Sequence, residues 1–224
     1  MSLFRFLPRF PFARGKAPTH RWARPRLEAL EDRTVMSAAL PTGVYDVPTG
    51  APAPRSMTVG PDGNVWICEY EGNAIGRMTP SGVLTQFALP QPDSLPHDIT
   101  YDASTGDFWF SEPGVNKIAR MNVNGVVLNQ YTLTSTPAAN IECLDVDSSG
   151  NFWFSEYSGN KIGRLDPSTG AFTEYAVPTP GGGPAGLVID ANDNVWFTEY
   201  NGGKVGRLDP STGAIVEFPT SNLN

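Results

Sequence analysis

The sequence predicts an all-β chain, a β-propeller with four recognisable four-stranded blades. Three observations carry that prediction. The stretch "NFWFSEYSGNKIGRLDPSTG" from Asn151 returns as "NVWFTEYNGGKVGRLDPSTG" from Asn194, 43 residues later. Trp66, Trp109, Trp153 and Trp196 are spaced 43, 44 and 43 residues apart, and Glu69, Glu112, Glu156 and Glu199 keep step with Arg77, Arg120, Arg164 and Arg207. Each unit also breaks into four strand-length runs between turn signals. A period of roughly 40–45 residues with four short strands per unit is the pattern of a propeller blade.

Residues 1–40 stand apart from this array. They hold eight Lys or Arg and three acids, and Arg and Pro interrupt every apolar stretch. A secretory signal needs an apolar core of about 7–15 residues, which is missing. The segment "RLEALEDRTVMSAAL" does resemble a leader motif, LEPLEDRxLLSA, found at the start of many exported proteins in one bacterial group. That resemblance implies export to the cell envelope or the medium, with the leader removed or tethered near residues 38–40. The other reading is a basic tail.

The blades are expected at about 51–90, 91–134, 135–178 and 179–224. In the third, strand a is "NIECLDV", strand b "NFWFSEY", strand c "KIGRL" and strand d "AFTEYAV". The turn "DPSTG" between c and d supplies a preset φ at Pro167 and a tolerated positive φ at Gly170. Strand b is almost continuously apolar, as expected where blades cover both faces of a sheet. Its Trp is therefore a packing residue, and the Lys and Arg of "KIGR" are solvated or ion-paired. Residues 43–49, "GVYDVPT", match strand d of the repeat and precede the first full blade. Either this extra strand displaces or flanks the last one in a four-blade ring, or the array belongs to a longer series. The second reading predicts exposed blade edges and self-association through them.

Composition excludes several partners. Beyond residue 40 the chain has eight basic residues against twenty acidic ones. A body this acidic, with no basic stripe, repels phosphate backbones, so nucleic acid is excluded. No apolar run approaches the roughly 18 residues of a membrane span. Cys68 and Cys143 fall in different strands of non-adjacent blades, too far apart for the about 7 Å limit of a disulfide, and are expected as buried free thiols.

Function must then sit where the repeat is broken. The d–a connections and the b–c loops share one face of a propeller, and strand a lines its channel. Arg55, His97, Asn140 and Ala185 are read as equivalent positions opening strand a. The b–c loops are expected to bring Glu112 and its repeats to the same face. Seven of the eight basic residues of the body occupy the "KIGR" slot, which leaves Arg55 as the exception. His97 is the only histidine of the body, with Asp98 next to it. Histidine beside carboxylates at a channel mouth is the make-up of a general base. His97 is thus the catalytic candidate, with Arg55, Glu112 and Asn140 as substrate-binding candidates; a surface or hydrogen-bonding histidine is the plainer reading. No metal ligands are assigned. The stretch "DVDSSGNFWFSE" nearly fits a calcium loop. Strand b, however, would carry Glu156 roughly 20 Å from the turn, at about 3.3 Å per residue. Asp62, Asp147 and Asp193 are read instead as turn formers in equivalent slots.

Units such as "GNFWFSEYSGNKIGRLDPSTGAFTEYAVPTP" resemble those of the virginiamycin B lyase (streptogramin B lyase) family, over about residues 43–224. The resemblance implies a seven-bladed propeller, of which four blades are legible here as an incomplete array. It implies an enzyme that opens a cyclic depsipeptide at its ester by elimination, aided by Mg²⁺, with a histidine removing an α-proton while the metal steadies the enolate charge. The family's working histidines sit in P-H-x-I, which Pro96–Ile99 matches, so that role passes to His97 alone. The enzymes use two such histidines. Leu95 stands where a metal-binding Glu precedes one such pair, and Arg55 where the family carries Tyr. The expected function is therefore an exported, lyase-like module binding a small molecule, peptide or carbohydrate at its channel face. The alternatives are a carbon–oxygen lyase with Mg as its cofactor, and an inactive fragment.

Overall fold

A computed structural model describes residues 53–134 and 139–220. The predicted strand d at residues 43–49 and the leader lie outside the described residues. Four antiparallel sheets follow one another along the chain, each with its strands in sequence order. The first holds β1 (Pro54–Val59), β2 (Val65–Glu69), β3 (Ala74–Met78) and β4 (Leu84–Ala88). The second holds β5 (Ile99–Asp102), β6 (Asp107–Glu112), β7 (Lys117–Met121) and β8 (Val127–Thr132). The third is β9 (Ile141–Val146), β10 (Phe152–Glu156), β11 (Lys161–Asp166) and β12 (Ala171–Ala176). The fourth is β13 (Pro184–Ile189), β14 (Val195–Glu199), β15 (Lys204–Asp209) and β16 (Ala214–Pro219). The first strands of successive sheets, β1, β5, β9 and β13, lie side by side. These are the blades of a propeller, as the repeat predicts.

Burial explains why the repeat is so strict. Trp66 stacks on Phe108 of the next blade at 4.2 Å between ring centroids, and Trp109 on Phe152 at 4.0 Å. Both tryptophans are fully buried, and so is Trp153, which joins Val195 and Leu187 of the fourth blade. The core is thus three clusters that lie between sheets. The repeated Arg does more than the sequence suggests. Arg77, Arg120, Arg164 and Arg207 each lie 5.6–5.8 Å over the tryptophan ring of their own blade. A guanidinium on an aromatic face gains roughly 0.5–2 kcal/mol, more as the pair is desolvated.

Polar latches fix how blades meet. Asn73, Asn116 and Asn160 have φ of 50°, 56° and 54°, in the left-handed region that Asn tolerates. From there each Oδ1 accepts a backbone N–H of the connection into the next blade: Ser94 (2.7 Å), Ala139 (3.3 Å) and Gly183 (3.2 Å). Gly203 occupies the corresponding position of the fourth blade.

The turn acids depart from the reading given above. Asp147 accepts from Trp153 Nε1 at 2.9 Å and from the Asn151 side chain. Asp190, not Asp193, repeats that arrangement with Trp196 and Asn194. Asp193 reaches instead to Ser148 in the turn of the third blade. Two Asp three residues apart, Asp190 and Asp193, made the register ambiguous, and the indole N–H resolves it.

Trp109 tests the frame most directly. Trp109→Ala is expected to lower unfolding stability by about 3–5 kcal/mol in urea titrations, the usual cost of emptying a buried Trp site. A loss under about 1 kcal/mol would show that the inter-blade stack does not hold the fold.

Candidate functional site

The ends of β1, β9 and β13 and the turn into β5 converge on one cavity of about 340 Å³. Each blade contributes two consecutive residues: Arg55 and Ser56, His97 and Asp98, Glu142 and Cys143, Ala185 and Gly186. Pairing registers show why. Thr58, Thr100, Asp145 and Val188 each sit opposite the tryptophan of strand b. Counting back along each strand makes Arg55, His97, Glu142 and Ala185 equivalent.

That corrects the sequence reading at one position. Glu142, not Asn140, is the third blade's residue in the series. Three blades open strand a with Pro54, Pro96 or Pro184, but the third uses Ile141. Without the proline marker, the alignment slipped by two residues. Counting back from tryptophan would have found it, since Arg55, Glu142 and Ala185 all lie eleven residues before theirs. Asn140 lies in the connection, with φ of 53°, beside a second cavity of about 170 Å³ that Tyr70 and Ser158 also line. Its Nδ2 donates to Glu142 Oε1 at 2.9 Å, so it touches the site through Glu142.

Glu112 is not at the cavity. It is completely buried within the second blade, where its Oε2 accepts from Gln130 Nε2 at 2.8 Å. Glu69 does the same with Gln86 in the first blade. Strand c carries Gly76 beside that pair because a Cβ there would come within 2.5 Å of Glu69 Oε1. The repeat-wide Glu is therefore part of the frame. Burial pushes the Glu112 carboxyl above its ordinary range, against the opposing hydrogen bonds and Lys117.

At the cavity the groups are held individually. The Arg55 guanidinium lies 4.7 Å over the Tyr70 ring, and His97 meets the same ring edge-on at 6.0 Å. His97 Nδ1 is 2.8 Å from the Glu142 carbonyl. A carbonyl only accepts, so Nδ1 carries the proton of the neutral ring and Nε2 keeps the basic lone pair. Asp98 Oδ2 accepts from Leu144 N at 2.8 Å, which ties this acid to the next blade. Both cysteines are free, Cys68 buried and Cys143 half-buried. Burial, aided by the Asp98 carboxylate, pushes the Cys143 thiol up to about 12, and it donates weakly to the Leu187 carbonyl. It therefore stays protonated and is no nucleophile at neutral pH. The cavity combines one fixed cation, one basic imidazole and two carboxylates, which suits a polar ligand and proton transfer.

Magnesium, implied by the family resemblance, requires an octahedral set of oxygens. Among the described residues no three His, Cys, Asp or Glu side chains converge as a metal set. The two carboxylates nearest the cavity are engaged, Asp98 with Leu144 N and Glu142 with Asn140. The described residues do not fit the ion, and no step is derived through it. No helix among them is long and apolar enough to cross a membrane.

Known proteins share this architecture. A profile of the Virginiamycin B lyase family matches residues 35–139 and 127–224. The chain belongs to that family. It is 40% identical over 57 residues to virginiamycin B lyase of Bordetella parapertussis, covering 25% of this chain and 19% of that protein. Among solved structures it is similar to a catalytically inactive virginiamycin B lyase from Staphylococcus aureus with quinupristin, at 36% identity and a TM-score of 0.73. A streptogramin B lyase structure aligns at 32% identity and a TM-score of 0.72, over 80% of this chain and 59% of that one. The chain thus spans about 60% of the Staphylococcus lyase and less of the Bordetella one.

The family frame makes the buried Glu112 testable. Its folded carboxyl titrates above the 4.5 of an unfolded Glu. The folded state therefore holds a proton that the unfolded chain has released, and stability falls as pH rises from about 4.5 through the folded value. Glu112→Gln should remove that slope in denaturant titrations between pH 4 and 8 and raise stability at pH 7. Unchanged pH dependence would mean that the carboxyl is ionised at no cost.

Proposed function

We propose that this virginiamycin B lyase-like propeller is exported and binds a small molecule at the cavity where its innermost strands meet. One observation carries the reading. The frame repeats from blade to blade, yet the four equivalent residues around the cavity are Arg55, His97, Glu142 and Ala185. Packing has no use for such diversity at a single register position, whereas a ligand with unlike groups has. The volume, about 340 Å³, is in the range of small-molecule sites, roughly 300–1,000 Å³. The solved relative with quinupristin supports a cyclic depsipeptide as the first ligand to test, ahead of peptides and carbohydrates. The leader motif supports export.

A second reading rests on His97. Its Nδ1 bond to Glu142 leaves Nε2 as the basic nitrogen of a residue that lines the cavity. Nε2 would take the α-proton of a bound ester-bearing peptide, the electron pair would form a C=C bond, and the neighbouring C–O bond would break. The ring then opens to an alkene and a carboxylate, with no change in mass.

Calorimetric titration with quinupristin, paired with chromatography of the recovered ligand, separates the readings. The binding reading expects saturable association, weakened about tenfold or more by Arg55→Ala, with quinupristin recovered intact; tenfold is about 1.4 kcal/mol. A ring-opened isomer of equal mass, lost in His97→Ala, would establish the lyase reading instead. No heat of binding at millimolar ligand would reject quinupristin-like ligands for this cavity.

A further inference from the structure

The repeat-wide Glu of strand b faces one side chain of strand d in every blade, and that partner changes along the chain. Gln86, Gln130, Glu174 and Glu217 hold the same register, opposite Gly76, Ala119, Gly163 and Gly206 of strand c. In the first two blades the partner is an amide, whose Nε2 donates to Glu69 or Glu112. In the third and fourth it is a second carboxylate. The lysine that opens strand c follows the change. Lys117 turns away to Gln91 Oε1, whereas Lys161 and Lys204 bond Glu174 and Glu217 at 3.1 and 2.6 Å.

The fourth blade makes the consequence plain. Glu217 Oε1 accepts Thr179 N at 2.8 Å, and its Oε2 accepts the Thr179 hydroxyl at 2.8 Å and Lys204 Nζ at 2.6 Å. Thr179 has one hydroxyl proton, and Glu217 takes it. Glu199 is left 2% exposed with neither of its oxygens holding a donor. The backbone closes around it, since a Cβ at Gly182 or Gly202 would come within 2.7 or 2.6 Å of its Oε2. Glu217 and Lys204 are the charged groups that face Glu199; from the third blade and the connection only Asn160, Thr179 and Gly182 approach, all uncharged. Two ionised carboxylates against one ammonium would leave an uncompensated buried charge, which is costly. In the first two blades an amide N–H fills the gap between the facing groups. Between two carboxyls only a proton can do so.

We propose that Glu199 and Glu217 share a single proton that clamps the connection into β13, and that its loss to solvent loosens the cavity wall formed by Ala185 and Gly186. Glu199 is the donor and Glu217 the acceptor. Burial foremost, with the Glu217 carboxylate, raises Glu199 above its ordinary range, against Lys204. Glu217 is held below its own range, since the bonds from Lys204 and Thr179 outweigh the cost of its burial. Once Glu199 ionises, it repels Glu217, whose two bonds to Thr179 anchor the start of the connection. Thr179 O in turn accepts Gly182 N at 3.1 Å and Asn160 Nδ2 at 2.9 Å, so the strain passes toward Pro184, where β13 begins. An unfolded Glu titrates near 4.5. The clamp is therefore complete at and below that pH and is lost as pH rises through the higher folded value. The third blade repeats the pair in Glu156 and Glu174, so the test must be local. The proposal does not depend on what occupies the cavity.

Nuclear magnetic resonance on the full chain, titrated from about pH 4 to pH 9, provides that test. The Glu199 carboxyl carbon, assigned by its loss in Glu199→Gln, should titrate above the ordinary Glu range. Over the same transition the exchange protection factor of the Thr179 amide should fall about tenfold or more, and the Ala185 and Gly186 amide shifts should move with the same midpoint. Glu199→Gln supplies a permanent donor, so Thr179 protection should become independent of pH while the third-blade pair stays intact. Glu217→Gln recreates the pairing of the first two blades and should lower the Glu199 midpoint; it carries the test alone if Glu199→Gln does not fold. A Glu199 midpoint at or below 4.5 overturns the proposal, as does Thr179 protection that is constant with pH. So does a pH response that survives in Glu199→Gln, or one that stops at Thr179 and leaves Ala185 and Gly186 unmoved.

Discussion

The structure depends on one contact, the face of a tryptophan laid on the sheet of the following blade. A four-stranded sheet with two apolar faces cannot be stable alone, because each face needs a cover and its own four strands provide none. The indole provides large area with few rotors to immobilise, and its N–H needs one fixed partner. Asp147 and Asp190 are those partners in the third and fourth blades. The arginine over the same ring and the glycine in strand c follow from the same demand. At Gly163 a Cβ would meet the Phe154 ring at 2.1 Å, so the residue there must be small.

Apolar contact alone would let blades slide, and directional bonds limit the sliding. The asparagine latches at Asn73, Asn116 and Asn160 convert a left-handed backbone position into a side chain that caps the next blade's connection. Asp98 and Asp145 add a second tie, each accepting a strand-a amide of its neighbour. These bonds set the spacing of the innermost strands, and with it the width of the cavity. The frame and the site are therefore coupled: Asp98 holds the junction and also lies beside His97 at the cavity. The fourth blade carries Gly203 and Val188 where the third has Asn160 and Asp145.

Much of this was written openly in the chain. Period, strand order, turn residues, the packing role of the tryptophans and the family frame were all legible, because a repeat states its packing rules several times and errors at one copy are visible against the others. His97 and Arg55 were legible for the opposite reason, as residues that break the pattern. Glu112 misled because a repeated carboxylate looks like a functional ring. Only its enclosure beside Gln130, matched in the first blade by Glu69 beside Gln86 where Gly76 makes room, shows it to be frame.

What the sequence alone determined is the local and periodic part: four blades, their strands, and which face of each strand is apolar, since alternation and turn chemistry act over a few residues. What the tertiary structure decided is register between blades. It replaced Asn140 by Glu142 at the cavity, exposed Met57 while burying Leu187, and gave His97 its tautomer through a carbonyl 45 residues away. Those relations depend on how far one sheet is turned and shifted against the next. That displacement is set by the summed packing of whole faces, which no short stretch of sequence contains.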